Sequence, residues 1–402
     1  MNLSSNSQVE LVLKRLRRRP QKVAAFEYFE QVLCAGPAPG RRPLVGQLCR
    51  FVPEELVLAA GAHPLRLDLG GRELEEGAEK HFPVEACCAA RAFVGAWEEK
   101  IFPIFENLDL LVIPACCDAK KRLAALLSSP KVFVLQPPPE NQSAAARKWW
   151  LEQILALKGA LEKIAGKKIK RQALFEAAQL LNRRAAAVRK LNELRARDPA
   201  VVSGTDALMV MQAAFFDQPQ SYTEKLEELV GELEKLQPLQ KRSTIPLVLS
   251  GSPLYWPEFS LPLLAEECGA QLVADDLCSA AEFLRHPVLS DENSLAGFLE
   301  GAADRTLLTT ICPIFSANTR RTENLIELVR STGARGVIYH VLYRCLPFDA
   351  EQITVTRALK EAGIAVLTLR CVFGEEEARL KTRLEAFLEM LSSGQSSIGT
   401  SS

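Results

Sequence analysis

The sequence predicts an α/β protein: two facing doubly wound, Rossmann-like parallel-sheet domains, with a helical layer between them in sequence. Three observations carry this. Short apolar runs alternate with helical stretches over 43–136. The pattern turns wholly helical after the breaker PPPENQS at 137–143, and the alternation resumes at Ile245. The length, 402 residues, suits two or three domains at roughly 100–200 residues each. The divisions expected are an N-terminal α/β domain with a leading helix at 1–143, a helical segment at 144–240, a C-terminal α/β domain at 241–391 and a disordered tail at 392–402.

Residues 7–33 read as one amphipathic helix whose basic run, Lys14, Arg15, Arg17, Arg18 and Arg19, forms a solvated face. A Gly/Pro loop follows over 35–43. PLVGQLC reads as a strand. VPEELVLAAG reads as a helix with Pro53 in its first turn and Gly61 at its end. HPLRLDL, DLLVIPA and KVFVLQ read as further strands. From Ala144 to about Leu239, leucines recur near helical spacing among Lys, Arg and Glu. IPLVLSGSP is a strand running into a Gly/Ser/Pro loop, and SLPLLAEECGAQLVADD is helix, glycine stop, strand. TLLTTIC, GARGVIYHVLYRC and GIAVLTLRC are three more strand candidates, each running into a cysteine. The tail SSGQSSIGTSS is of low complexity.

Lys plus Arg and Asp plus Glu are both 49, so net charge is zero. That argues against nucleic acid or an anionic membrane as the main partner. No segment approaches the ~20 apolar residues of a membrane span, and the N-terminus does not read as a signal peptide. A cytoplasmic protein with reduced thiols is therefore expected. There is no GxxxxGK pattern, so ATP is not expected to bind this chain directly.

The eleven cysteines are the informative residues. No CxxC occurs, which removes zinc ribbons, thioredoxin-like motifs and bacterial ferredoxin runs. Cys49, Cys116/Cys117, Cys312, Cys345 and Cys371 each end a predicted strand, and Cys278 follows QLVADDL. In open α/β sheets those ends face the ligand crevice. Several thiolates would then aim at one spot, where soft sulfur selects iron–sulfur clusters, zinc or copper(I). The alternative is that free cysteine acts as a small buried hydrophobe, which is the reading for Cys34 and Cys268. Among other polar residues, Ser250 lies in a loop suited to a carboxyl or phosphate group. His340, five residues before Cys345, is the best candidate for protonation.

The blocks LCRFVPEELVLAAGAHPLRL, HFPVEACCAARAFVG, IPACCDAKKRL, VVSGTDALMV, QLVADDLCSA and RGVIYHVLYRCLPFD resemble, in order and spacing, the 2-hydroxyacyl-CoA dehydratase and benzoyl-CoA reductase family. The resemblance covers nearly the whole chain. It implies a [4Fe–4S] cluster between two α/β domains, held by Cys87, Cys117 and Cys345, with an iron left open for an external ligand. It also implies a separate ATP-dependent iron–sulfur activator protein that delivers a low-potential electron, and pairing with a related subunit or a second copy. The substrate would be an acyl-CoA thioester, dehydrated through a ketyl radical or reduced at an aromatic ring. A further branch of the family carries a double-cubane (8Fe–9S) cluster and reduces small molecules; there Cys49, Cys278 and Cys312 would supply three more ligands. A non-catalytic iron–sulfur carrier is the remaining alternative.

Overall fold

A computed structural model describes residues 7–19, 23–37, 43–127, 129, 131–237, 244–316, 319–374 and 377–393. Two helices open the chain, α1 (Ser7–Leu16) and α2 (Ala25–Ala35). The first sheet unit comprises β1 (Leu44–Gln47), α3 (Glu54–Ala59), β2 (His63–Arg66), α4 (Cys88–Glu98), α5 (Ile104–Asn107), β3 (Leu110–Pro114), α6 (Asp118–Leu126) and β4 (Val132–Leu135). Four helices follow: α7 (Ala144–Ala165), α8 (Arg171–Ala196), α9 (Gly204–Ala213) and α10 (Pro219–Leu233). The second sheet unit comprises β5 (Ile245–Gly251), α11 (Ser260–Glu267), β6 (Ala270–Asp275), α12 (Ala281–Leu284), α13 (Leu295–Leu308), α14 (Thr319–Thr332), β7 (Gly336–Leu342), α15 (Leu346–Glu361), β8 (Ala365–Cys371) and α16 (Glu377–Ser392).

The two sheets share one topology. Their orders are β2-β1-β3-β4 and β6-β5-β7-β8, with every pairing parallel. This is the doubly wound order whose switch point lies between the first and third strands. β1, β3, β5 and β7 have few exposed positions, as strands covered by helices on both faces must. Among the described residues no helix is long and apolar enough to cross a membrane.

The helical segment fastens the halves together. α8 packs on α3 of the first unit and on β6 and α12 of the second. Its Arg184 pairs with Glu54 at the start of α3, and its Arg195 meets Asp275 at 2.5 Å at the end of β6. All four groups are buried. Removing one partner of such a pair costs about 3–5 kcal/mol, because the other charge is left buried alone. Trp150 of α7 sits edge-on to Phe51 and donates from Nε1 to Thr306 Oγ1 at 2.9 Å.

Three expectations are corrected. The helix expected over 7–33 is two helices, α1 ending at Leu16 and α2 beginning at Ala25; Pro20, between them, lacks the amide that a continuous helix needs. The basic run is not a solvated face throughout. Arg15 pairs with Glu267 and Glu377, and Arg19 with Glu30 and Asp206, so these side chains tie α1 to the helical segment and the second unit. TLLTTIC is not a strand. Thr306 closes into α13, and the Thr306, Thr309 and Thr310 hydroxyls donate back to the carbonyls of Ala302, Arg305 and Thr306 at 2.9, 2.6 and 2.6 Å. Such back-bonding lets a β-branched run finish a helix. Of the tail expected over 392–402, residues 394–402 lie outside the described residues.

Candidate metal centre in the crevice

The carboxyl ends of both sheets carry the thiols. In the first half, Cys49 follows β1 and Cys116–Cys117 follow β3. Cys87 comes from the crossover between β2 and β3. In the second half, Cys278 follows β6 and Cys345 follows β7, while Cys312 comes from the crossover between β6 and β7. All of these keep part of their surface accessible, whereas Cys88 and Cys371 are buried.

The thiols fall into two triads. Cys87 accepts a hydrogen bond from Cys345, Cys117 feels the charge of Cys87, and Cys345 feels that of Cys117. Cys278 and Cys312 likewise interact with Cys49 and with each other. Each triad takes two sulfurs from one half of the molecule and one from the other. Cys116 lies between them, hydrogen-bonded to Cys117 and to Cys49.

The first triad has a common local origin. Cys87, Cys117 and Cys345 are the N-cap residues of α4, α6 and α15. A helix N-terminus presents unpaired amides and partial positive charge, which favours thiolate over thiol. The hydrogen bond from Cys345 lowers the Cys87 thiol to about 6, with help from the amides of Ala90 and Ala89. The hydrogen bond from Cys116 and the Lys120 amide lower Cys117. Cys345, donating to Cys87, is held well above its ordinary value.

The second triad has another origin. Cys49 stands at φ 66°, and its amide donates to Asp68 Oδ2 at 2.7 Å. Asp68 also takes Arg66 Nε at 2.9 Å and Lys120 Nζ at 2.7 Å. Those two cations hold its carboxyl low, at about 2, against burial. The hydrogen bond from Cys116, aided by Lys120, lowers Cys49 to about 6. Burial raises Cys278 to about 11 and Cys312 well above its ordinary value.

A cavity of about 620 Å³ opens onto the first triad and Cys116, within the usual range for small-molecule sites. Phe82, Ile314 and Leu346 supply apolar wall; Lys121, Arg122 and Arg344 line it together with Glu85 and Asp118, and Asp118 pairs with Lys121 at 3.5 Å. Cys49, Cys278 and Cys312 are not part of its lining; Cys116, which is, hydrogen-bonds to Cys49.

Among the described residues no three His, Cys, Asp or Glu side chains close on a single ion-sized point. Three thiols already biased toward thiolate, Cys49, Cys87 and Cys117, fit a metal-bearing group, because metal ligands bind deprotonated.

Other candidate residues lie apart. Ser250, at the end of β5, is fully buried and receives Arg321 Nη2 at 3.4 Å. His340, in β7, lines a small space of about 20 Å³ with Cys371 and Tyr255, room for about one water. Its Nδ1 stands 3.2 Å from the Ser252 carbonyl, and burial lowers its pKa to about 4. Cys268 ends α11. Cys34 is in α2.

The sequence reading missed the charged residues behind the second triad: Arg50, Arg66, Asp68, Lys120 and Arg321. Arg50 and Lys120 were each within three residues of a candidate cysteine, and Arg66 and Asp68 close a strand reading HPLRLDL; that proximity was the available signal.

A family model described as 2-hydroxyglutaryl-CoA dehydratase, D-component, matches residues 49–391. The chain is 28% identical to the (R)-2-hydroxyglutaryl-CoA dehydratase subunit beta of Acidaminococcus fermentans, over 92% of this chain and 97% of the relative. It is 24% identical to the (R)-phenyllactyl-CoA dehydratase beta subunit of Clostridium sporogenes, over 86% and 91%. Identity to one of the subunits of the benzoyl-CoA reductase of Thauera aromatica is also 24%, over 82% and 85%.

Proposed function

The chain belongs to the 2-hydroxyglutaryl-CoA dehydratase D-component family, and from that premise we propose that it is the iron–sulfur catalytic subunit of a low-potential dehydratase or reductase acting on an acyl-CoA thioester. The observation that carries this reading is the convergence of Cys87, Cys117 and Cys345, each at a helix N-terminus, on one cavity.

These three residues would hold a four-iron cluster, which when bound supplies one-electron chemistry at low potential. Arg122 and Arg344, with Lys121 paired to Asp118, give the lining cations that an anionic CoA ester could use, against the carboxylate of Glu85. Phe82, Ile314 and Leu346 give the cavity its apolar lining. The electron would come from a separate ATP-dependent iron–sulfur activator protein, and the working enzyme would pair this chain with a related subunit or a second copy. The relatives, named as subunits of dehydratases and of a reductase, support that pairing. An anaerobic cytoplasm suits such a centre.

The second triad favours a second reading. Cys49, Cys278 and Cys312 with the first three make six thiolates, the number that suits a double cubane (8Fe–9S), and a reductase of small molecules rather than of CoA esters.

The test is iron and acid-labile sulfide per chain on protein purified without oxygen, with an EPR spectrum after reduction. About four irons support the acyl-CoA reading and about eight the double cubane. A chain without iron sinks both. A full cluster with no low-potential redox activity leaves a carrier.

A further inference from the structure

The two triads are stabilised by different groups. Those of the first stand on helix N-termini. None of the second does: Cys49 follows β1 in a left-handed turn, and Cys278 and Cys312 lie in turns after β6 and α13. Beside a single backbone amide, that of Ile314 at Cys312, the second triad has guanidinium groups. Arg50 interacts with Cys278 and Cys312, and Arg66 with Cys278 and Cys49. Both side chains are almost wholly buried, at 5% and 1% exposure.

Their hydrogen bonding is incomplete. Arg50 donates from Nη2 to Thr309 Oγ1 at 3.1 Å, and its Nη1 stands 3.6 Å from Glu282. Its Nε and Nη1 have no hydrogen-bond acceptor. Arg66 donates from Nε to Asp68 and from Nη1 to the Cys278 carbonyl at 2.8 Å, while Nη2 has no acceptor. An unmet buried donor costs about 1–3 kcal/mol, and more when charged. Arg184 and Arg195 also carry unmet N–H groups; those of Arg50 and Arg66 differ in belonging to side chains that interact with the second triad, where a ligand can bring acceptors. Sulfur carrying negative charge is such an acceptor.

We propose that Arg50 and Arg66 donate hydrogen bonds to the sulfur atoms of an iron–sulfur group held by Cys49, Cys278 and Cys312, and so make that half of the centre the first to be reduced. The inference rests on the double-cubane reading above. Reduction adds one negative charge, supplied by an external one-electron donor. Charge-assisted N–H donors stabilise the more negative state more than the less negative one, so they raise the potential. Arg50 is balanced by Glu282 and Arg66 by Asp68, so the guanidinium groups are fixed before any metal arrives. The electron would rest behind Cys116, while the triad that lines the cavity meets the substrate. The molecule would thus separate storage from reaction.

The experiment is a reductive titration of oxygen-free protein with a titanium(III) complex, followed by EPR, on the wild type, Arg50→Met, Arg66→Met and Arg50→Lys, with iron measured on each. The expected result is about eight irons and two reduction steps in the wild type. In either Met variant the easier step moves to more negative potential, and the other step stays. Arg50→Lys keeps the charge without the fork and gives a smaller shift in the same direction. Unmoved steps, or equal movement of both, overturn the proposal. If a Met variant loses iron, Arg50→Lys decides by the same criterion. A wild type with four irons overturns this inference and leaves the acyl-CoA reading standing; a wild type without iron overturns that reading itself.

Discussion

The amide of Cys49 donates to the Asp68 carboxylate at 2.7 Å, and that bond holds Cys49 at φ 66°. A left-handed non-glycine residue costs roughly 1–2 kcal/mol. Asp68 offsets this while its two oxygens also bind Arg66 and Lys120. The end of β2 thus dictates the geometry at the end of β1. Asp68→Asn keeps an acceptor for the amide but leaves the buried Arg66 and the largely buried Lys120 without their carboxylate. The expected loss is about 3–5 kcal/mol of unfolding free energy, read by urea titration. A loss under 1 kcal/mol would show that Asp68 is not the anchor.

Adjacent cysteines separate cleanly. Cys87 caps α4 and touches Cys345, while Cys88 is buried at 3% exposure in the main core. Burial pushes the Cys88 thiol above its ordinary value. Cys87→Ser should lower iron per chain substantially. Cys88→Ser should keep full iron and cost about 1–2 kcal/mol, the desolvation of a buried hydroxyl. Equal iron in both variants would remove Cys87 from the ligand set.

Strand ends carry most of what the sequence reveals about the site. The parallel, doubly wound pattern places Cys117 and Cys345 at carboxyl ends, and such ends face a crevice whatever the loops do. Cys312 reached the same region by another route, at the end of a helix whose threonines mimic a strand. Arg50 and Glu282 were not legible as partners, because 232 positions separate them and periodicity carries no information about pairing between halves. The same holds for Arg15 and Glu377, which turn a basic run into internal fastening. The helical layer was legible from its spacing; that α8 bridges both sheets was not, since amphipathic pattern says which face is buried and not against what.

Gly95 is a packing requirement of the arm that carries Cys87. A Cβ there would stand 1.7 Å from the Leu74 carbonyl oxygen. Gly95→Ala should push α4 from the turn at 72–78. Overpacking of this kind costs about 1–3 kcal/mol, and iron per chain should fall with it. Unchanged iron and melting temperature would show that α4 yields freely.

His340 makes stability depend on pH. Its pKa is about 4 in the fold, lowered from 6.5 by burial. Above pH 6.5 folded and unfolded chains are both neutral at this residue, and the contribution is complete. Between 6.5 and 4 the unfolded chain takes up a proton that the fold refuses, so stability falls as pH falls, by about 3 kcal/mol in all. His340→Asn should remove that part of the slope in urea unfolding of the metal-free chain. Identical slopes for the two proteins would contradict the assignment.

The division of each triad, two sulfurs from one half and one from the other, bears on how substrate enters. A clam-shell opening of the loaded protein would have to break a metal–sulfur bond in each triad at once. If the proposed cluster is bound, traffic would have to use the cavity that Arg344 and Leu346 line, with the halves held together across it.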